Sequence, residues 1–386
     1  TFSTPTKVVI ADAEGKLHRT WTFSGNGGGE AFTFFIDTNS GKIIAVIDDV
    51  LDVDVSGAVT ATATDNFAVN NGVNNLVTVG VPGVRVLAVS GTGTSPCPTG
   101  SPTHQMYACP GDEPDPCDDG EYSFTAVTTP STITAQLKGA SVKVGSCECG
   151  SSLSWASDCA IYAASDFAGY CGGADVFWEQ CGQTPTGSPY TVNLDFDDGG
   201  WGSTPEFAIA QTNAFAVVEN THDWFKSLMP DYTGIDVQLP CAVNANSPSY
   251  PGGSFVRVHR AIGFSRSDDG DGYFNGAFST IVSHEYGHFI LDSIHRELLG
   301  APYGSSTIAF HEGVADTVAA LYWNMPIIGE GIFTPDSQIL FNPPLTADYL
   351  RSLDDFNVDY QSERQVHFWG MAIGGAFWDL RQSLLY

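Results

Sequence analysis

Period-two alternation of apolar and polar residues dominates the first third of the chain. Lys7–Ile10, Leu17–Phe23, Ala31–Ile36 and Lys42–Ile47 read as strands, separated by turns at Ala13-Glu-Gly15 and Asp37-Thr-Asn-Ser-Gly41. Val/Thr/Ala alternation continues through 53–55, 58–64, 77–81, 84–89, 122–127 and 133–137, and predicts an all-β sandwich over 53–146. A cysteine-rich loop at about 96–120 interrupts it, and 147–202 reads as a Cys/Gly/Ser-rich connection. Then the period changes. Thr204-Pro205-Glu206 supplies a capping hydroxyl, a proline at the first helical position and an acid in the first turn. A helix is predicted from there to Pro230, which stops it. A strand-like run follows at 254–264, and the remainder is mostly helical.

Composition narrows the class. The chain has 386 residues, 42% of them hydrophobic, which is enough for more than one core. Acidic residues outnumber basic ones 44 to 15, a net charge of -29. That balance argues against nucleic acid and against docking on anionic lipid. It suits a secreted, soluble protein and leaves carboxylates for calcium. Eight of the nine cysteines fall between 97 and 181 in loop-like sequence, which reads as disulfides formed in an oxidising compartment. The odd count leaves one thiol free or bonded outside the chain. No stretch approaches the roughly 20 apolar residues of a membrane span. The chain opens at Thr1 with neither Met nor a signal-peptide pattern, and reads as a processed product or as part of a longer chain.

The chemistry concentrates at His284-Glu285-Tyr286-Gly287-His288. Positions i and i+4 lie one turn apart on one helix face, so both imidazoles reach one ion. Glu285 then borders the ion's solvent position, where it takes a proton from a water. Gly287 costs helix propensity and lets a backbone or a substrate come close. His311-Glu312-Gly313-Val314-Ala315-Asp316 starts a second helix, 24 positions after His288 when measured to Glu312. That length lets the chain turn and return antiparallel, making Glu312 a third ligand with a fourth position open. His311 competes with it for that role. Asp316, one turn on, is placed to accept the other ring N–H of a ligating histidine.

HEYGH followed by HEGVAD resembles the gluzincin pattern of thermolysin and fungalysin relatives, with zinc as the metal. The likeness covers about 205–386, including the helix from 205, NMPIIGEGIF (324–333) and VHFWGMAIGGAFWDLRQSL (366–384). It implies a secreted zinc endopeptidase with Glu285 as general base. It also implies His367 as a donor to the oxyanion, Arg351 as a holder of a substrate carbonyl, and Tyr303 as an extra donor. Relatives continue with further helices beyond a point like Tyr386. GGSFVRV (252–258) could be the sheet edge on which an extended peptide adds as a strand. Ser267–Gly272 resembles half a calcium loop, with Asp269 and Asp271 as candidate ligands and a plain acidic turn as the other reading.

The strand–turn–strand run ending in FFIDTNSGKII (34–44) resembles the end of a PepSY or fungalysin-type propeptide module, with an ordinary β-hairpin domain as the other reading. The expected layout is a partial PepSY/propeptide-like β module at 1–52, a β-sandwich at 53–146, and an α+β thermolysin-like zincin domain at 147–386 with a mostly helical C-terminal part. The sandwich is similar to the carboxypeptidase-regulatory-like folds beside secreted peptidases. Residues 1–52 could hold the enzyme inactive as a zymogen segment. The rival function is an extracellular fibre-forming or surface protein that keeps a peptidase-like domain and self-assembles through its β-rich N-terminal part.

Overall fold

A computed structural model describes residues 2–11, 16–27, 30–48, 52–64, 76–90, 102–108, 120–128, 131–146, 159–162, 175–183, 190–191, 194–196, 205–246, 253–257, 260–266, 278–298, 306–330, 349–354 and 366–385. The first alternating segment forms an antiparallel meander of β1 (Thr6–Ala11), β2 (Leu17–Gly27), β3 (Glu30–Asp37) and β4 (Ile43–Asp48). Its β3–β4 turn closes as the sequence predicts. Asp37 Oδ1 accepts from the backbone of Asn39 and Ser40 at 3.0 and 2.7 Å, and Gly41 takes φ 68. Phe23 stacks on Phe34 across the β2–β3 ladder, with centroids 5.3 Å apart.

The chain continues through β5 (Asp52–Thr64), β6 (Leu76–Gly80), β7 (Arg85–Ser90), β8 (Pro102–Tyr107), β9 (Glu121–Thr128), β10 (Ser131–Gln136) and β11 (Val142–Ser146). Next come β12 (Cys159–Tyr162), β13 (Asp175–Gln183), β14 (Tyr190–Thr191), β15 (Leu194–Phe196), β16 (Leu239–Asn246), β17 (Gly253–Val256) and β18 (Ala261–Arg266). Strand β5 is the hub of a five-stranded sheet with β6, β9, β14 and β15. The larger sheet runs β17-β18-β16-β11-β13-β10-β7-β8, with β12 also on β13. It crosses the position expected to divide two domains at 146/147: β11 pairs in parallel with β16, Val142 to Leu239 through Ser146 to Val243. Strand β8 arises inside the segment read as a cysteine-rich loop, and β12 to β15 inside the one read as a connection. The run at 254–264 is two antiparallel strands, β17 and β18, turned at Arg260 with φ 45.

Among the described residues four helices follow the periodicity: α1 (Pro205–Leu228), α2 (Ser279–Ile294), α3 (Ser306–Trp323) and α4 (Val366–Leu385). A short ladder of β19 (Ile327–Ile328) and β20 (Arg351–Ser352) lies between the last two. The main core joins the faces of the β5 and β11 sheets to α1 and α2. Phe196, Phe215, Phe264 and Phe289 are fully buried in it, each contributing roughly 1.5–3 kcal/mol. Glu219 of α1 ties helix to sheet: its Oε1 accepts from the Ser141 and Val142 backbone at 3.0 Å each. Cys241 in β16 is a fully buried free thiol whose ionisation burial pushes well up; the disulfides expected between 97 and 181 lie outside the described side chains. Among the described residues no helix is long and apolar enough to cross a membrane.

Candidate metal centre

Helix α2 starts after Phe278 without a side-chain cap, and burial holds it instead: every residue from Ser279 to Asp292 is buried. Trp323 Nε1 donates to Ser283 Oγ at 2.9 Å, and Thr221 Oγ1 meets the same oxygen at 3.1 Å. Those two bonds fix the rotation of α2 against α1 and α3, and so the direction of the i, i+4 pair. The rings of His284 and His288 stand edge to face, centroids 4.6 Å apart. His284, Glu285 and His288 each bring a ligand-type atom to within 4.8 Å of the others.

Small residues let the neighbouring helices close in. A Cβ on Gly287 would lie 2.9 Å from Ala315 Cα, so α3 crosses α2 at that point; the close approach is to a backbone. A Cβ on Gly313 would lie 2.5 Å from Gly370 O, and so α4 crosses α3 there. The first crossing carries Glu312 to the two histidines, and the second carries His367 to Glu312.

Glu312 Oε2 stands 3.3 Å from His284 Nε2, 3.5 Å from His288 Nε2 and 3.2 Å from His367 Nε2. Although buried, that oxygen has no hydrogen bond of good geometry among the described residues. Donors held tetrahedrally on one ion at about 2.0–2.1 Å lie about 3.3 Å apart. An orphaned oxygen at that spacing from two imidazole nitrogens fits a divalent ion between them.

The other ring nitrogens are held. Asp316 Oδ1 lies 2.7 Å from His284 Nδ1. Arg351 grips both oxygens of Asp316, Nε to Oδ2 at 2.8 Å and Nη2 to Oδ1 at 2.7 Å. The β19–β20 ladder places Arg351 opposite Ile328, and Gly329 N donates to Thr280 Oγ1 on α2 at 2.9 Å. His311, weighed above as a rival ligand, instead faces the back of His288, Nδ1 to Nδ1 at 2.6 Å, and its own Nε2 is buried without a partner among the described residues.

Electrostatics agree with a cation. Glu285, Glu312 and Asp316 converge on one guanidinium, that of Arg351, so carboxylates outnumber it among the described residues. A divalent ion would offset that excess. Without it the carboxylates recruit a proton: burial resists charging His284, yet Asp316 and Glu312 hold it up at about 10. Burial raises the Glu285 carboxyl. Burial opposes ionising Glu312 and Asp316, but the histidines pull Glu312 well below the usual range. Arg351 and His284 bring Asp316 to about 2. Burial lowers His311 to about 3 and His367 to about 4, which leaves both neutral.

Helix periodicity pointed to His284, Glu285, His288, Glu312 and Asp316, and these meet at one place. His367 joins them at the rim, its side chain 39% exposed. Arg351 directs Nε and Nη2 to Asp316, and its Nη2 also lies 3.3 Å from His284 Nδ1. The candidates Asp269, Asp271 and Tyr303 lie outside the described residues. Sequence reasoning missed the α3–α4 crossing; its signal was a glycine directly after Glu312 and another three residues after His367. No known family model and no curated protein matches the chain.

Proposed function

We propose that this chain is a zinc-dependent endopeptidase of the gluzincin kind, with the metal on His284 Nε2, His288 Nε2 and Glu312 Oε2. The observation that carries the reading is the convergence of the buried Glu312 Oε2 on His284 Nε2 and His288 Nε2, at 3.3 and 3.5 Å. When bound, zinc acidifies a water and polarises a carbonyl.

The chain's own residues do the rest. Asp316, held by Arg351, accepts the Nδ1 proton of His284 and so leaves its Nε2 lone pair for the ion. His311 accepts the Nδ1 proton of His288 in the same way. Glu285 is buried, and that burial raises its carboxyl, which makes the carboxylate a stronger base. It takes a proton as the water oxygen bonds to the scissile carbon. It then delivers that proton to the amide nitrogen as the C–N bond breaks. Neutral His367, at the rim, donates N–H to the carbonyl oxygen as negative charge grows there. An extended peptide would lie along the edge strand β17, beside Glu285.

The test is zinc content together with casein cleavage, for the wild type and for Glu285→Ala. The variant should keep its zinc and lose cleavage. Cleavage by Glu285→Ala, or a wild type that binds no zinc, would reject the assignment.

A further inference from the structure

Among the described residues strand β17 is the outermost strand of the large sheet, hydrogen-bonded to β18 on one side. Its alternate residues run along α2. Gly253 faces Glu285, and Phe255 packs on Phe289 with ring centroids 6.1 Å apart. The next alternate residue, Arg257, brings Nε to 3.4 Å from Asp292 Oδ1. Two strand residues advance roughly 6.6 Å, and the helix steps from 285 to 289 and from 289 to 292 roughly 6 and 4.5 Å, so strand and helix run side by side nearly in step over this stretch. The aromatic pair and the ion pair thereby fix where position 253 falls on the helix.

Position 253 has no room for a side chain. A Cβ there would lie 2.7 Å from Glu285 Cγ, 2.7 Å from Oε1 and 3.0 Å from Cδ. Real Cβ atoms do not approach so closely. The backbone does not itself require glycine, because Gly253 is not among the glycines with positive φ. Space alone makes the demand, and it is set by the carboxylate of Glu285. That side chain is buried and cannot retreat into solvent.

We propose that Gly253 is a positioning residue for Glu285: the notch in the edge strand is the volume in which the carboxylate rests beside the metal position. This rests on the peptidase reading above. Filling the notch displaces the carboxylate while His284, His288 and Glu312 stay in place.

The experiment compares the wild type, Gly253→Ala, Glu285→Ala and the double variant. Zinc content, kcat and KM on a peptide substrate, and thermal midpoint are measured for each. Gly253→Ala should keep its zinc and its KM and lose about 10²-fold in kcat, the size expected for a misplaced catalytic group. Its thermal midpoint should fall when Glu285 is present and not when residue 285 is alanine, since the clash then has no second party. Wild-type kcat in Gly253→Ala, or an equal loss of thermal midpoint in both backgrounds, would overturn the proposal alone. A wild type that cleaves nothing would overturn the peptidase reading and this proposal with it, while the thermal comparison would still report whether the two residues touch.

Discussion

Asp316 lies 2.7 Å from the Nδ1 of His284 on one side and is gripped through both oxygens by Arg351 on the other. The carboxylate is wholly buried, so neither partner can be replaced by water. The ring of His284 is therefore oriented by a charge that is itself held in place. Asp316→Asn keeps the shape and removes the charge. Zinc affinity, measured by competition with a chelator, should fall about 10- to 100-fold. Unchanged affinity would show that Asp316 serves Arg351 alone.

The His288–His311 pair gives a prediction about tautomers. Two ring nitrogens 2.6 Å apart need one proton between them. For His288 to bind metal through Nε2, His288 must donate and neutral His311 must accept. Burial keeps His311 neutral, its pKa lowered to about 3. His311→Asn retains an acceptor and should hold zinc nearly as well as the wild type. His311→Leu should weaken binding about 10- to 100-fold. Equal affinities for the two variants would refute an accepting role.

Gly287 should tolerate no enlargement. A Cβ there meets Ala315 Cα at 2.9 Å and Val318 Cβ at 3.1 Å, both in the α3 wall. Gly287→Ala gains helix propensity but must separate α2 from α3. A net loss of about 1–3 kcal/mol in chemical denaturation is expected, accompanied by weaker zinc binding as Glu312 recedes. A more stable variant would mean that the crossing is looser than described.

Glu219 predicts a pH dependence of stability away from the metal. Burial raises its pKa from 4.5 to about 7, against the lowering effect of the Ser141 and Val142 amides. The folded chain therefore keeps a proton that the unfolded chain releases. Its contribution is fully present below about pH 4.5 and is lost as pH rises to about 7. The loss amounts to about 3 kcal/mol across that window. Glu219→Gln retains an oxygen acceptor and should flatten this part of the curve. An unaltered slope in urea melts between pH 4.5 and 7 would exclude Glu219 as its source.

Local patterns were the legible part. The strand runs of the first 48 residues, the start of α1 at Pro205 and its end before Pro230, and the shared helix face of His284 and His288 depend on neighbours a few positions away. The partners of those elements were not legible. Nothing near Val142 announces that it pairs with Leu239, and so a division between domains was expected where one sheet runs through. The grip of Arg351 on Asp316, 35 residues away in sequence, was not legible either, because it depends on the β19–β20 ladder that places Arg351 opposite Ile328.

By itself the sequence determined the inventory: two imidazoles one helical turn apart, the glutamate between them, and a second helix opening on Glu312 with Asp316 one turn further. Helical geometry is a property of adjacent residues, so that much needs no knowledge of the rest of the chain. Only the tertiary structure decided the distances. Glu312 reaches the histidines because α3 can press against Gly287. His367 reaches Glu312 because Gly313 and Gly370 meet, and Glu285 rests where Gly253 leaves space. These are excluded-volume relations between segments far apart in sequence, and residue spacing does not encode them.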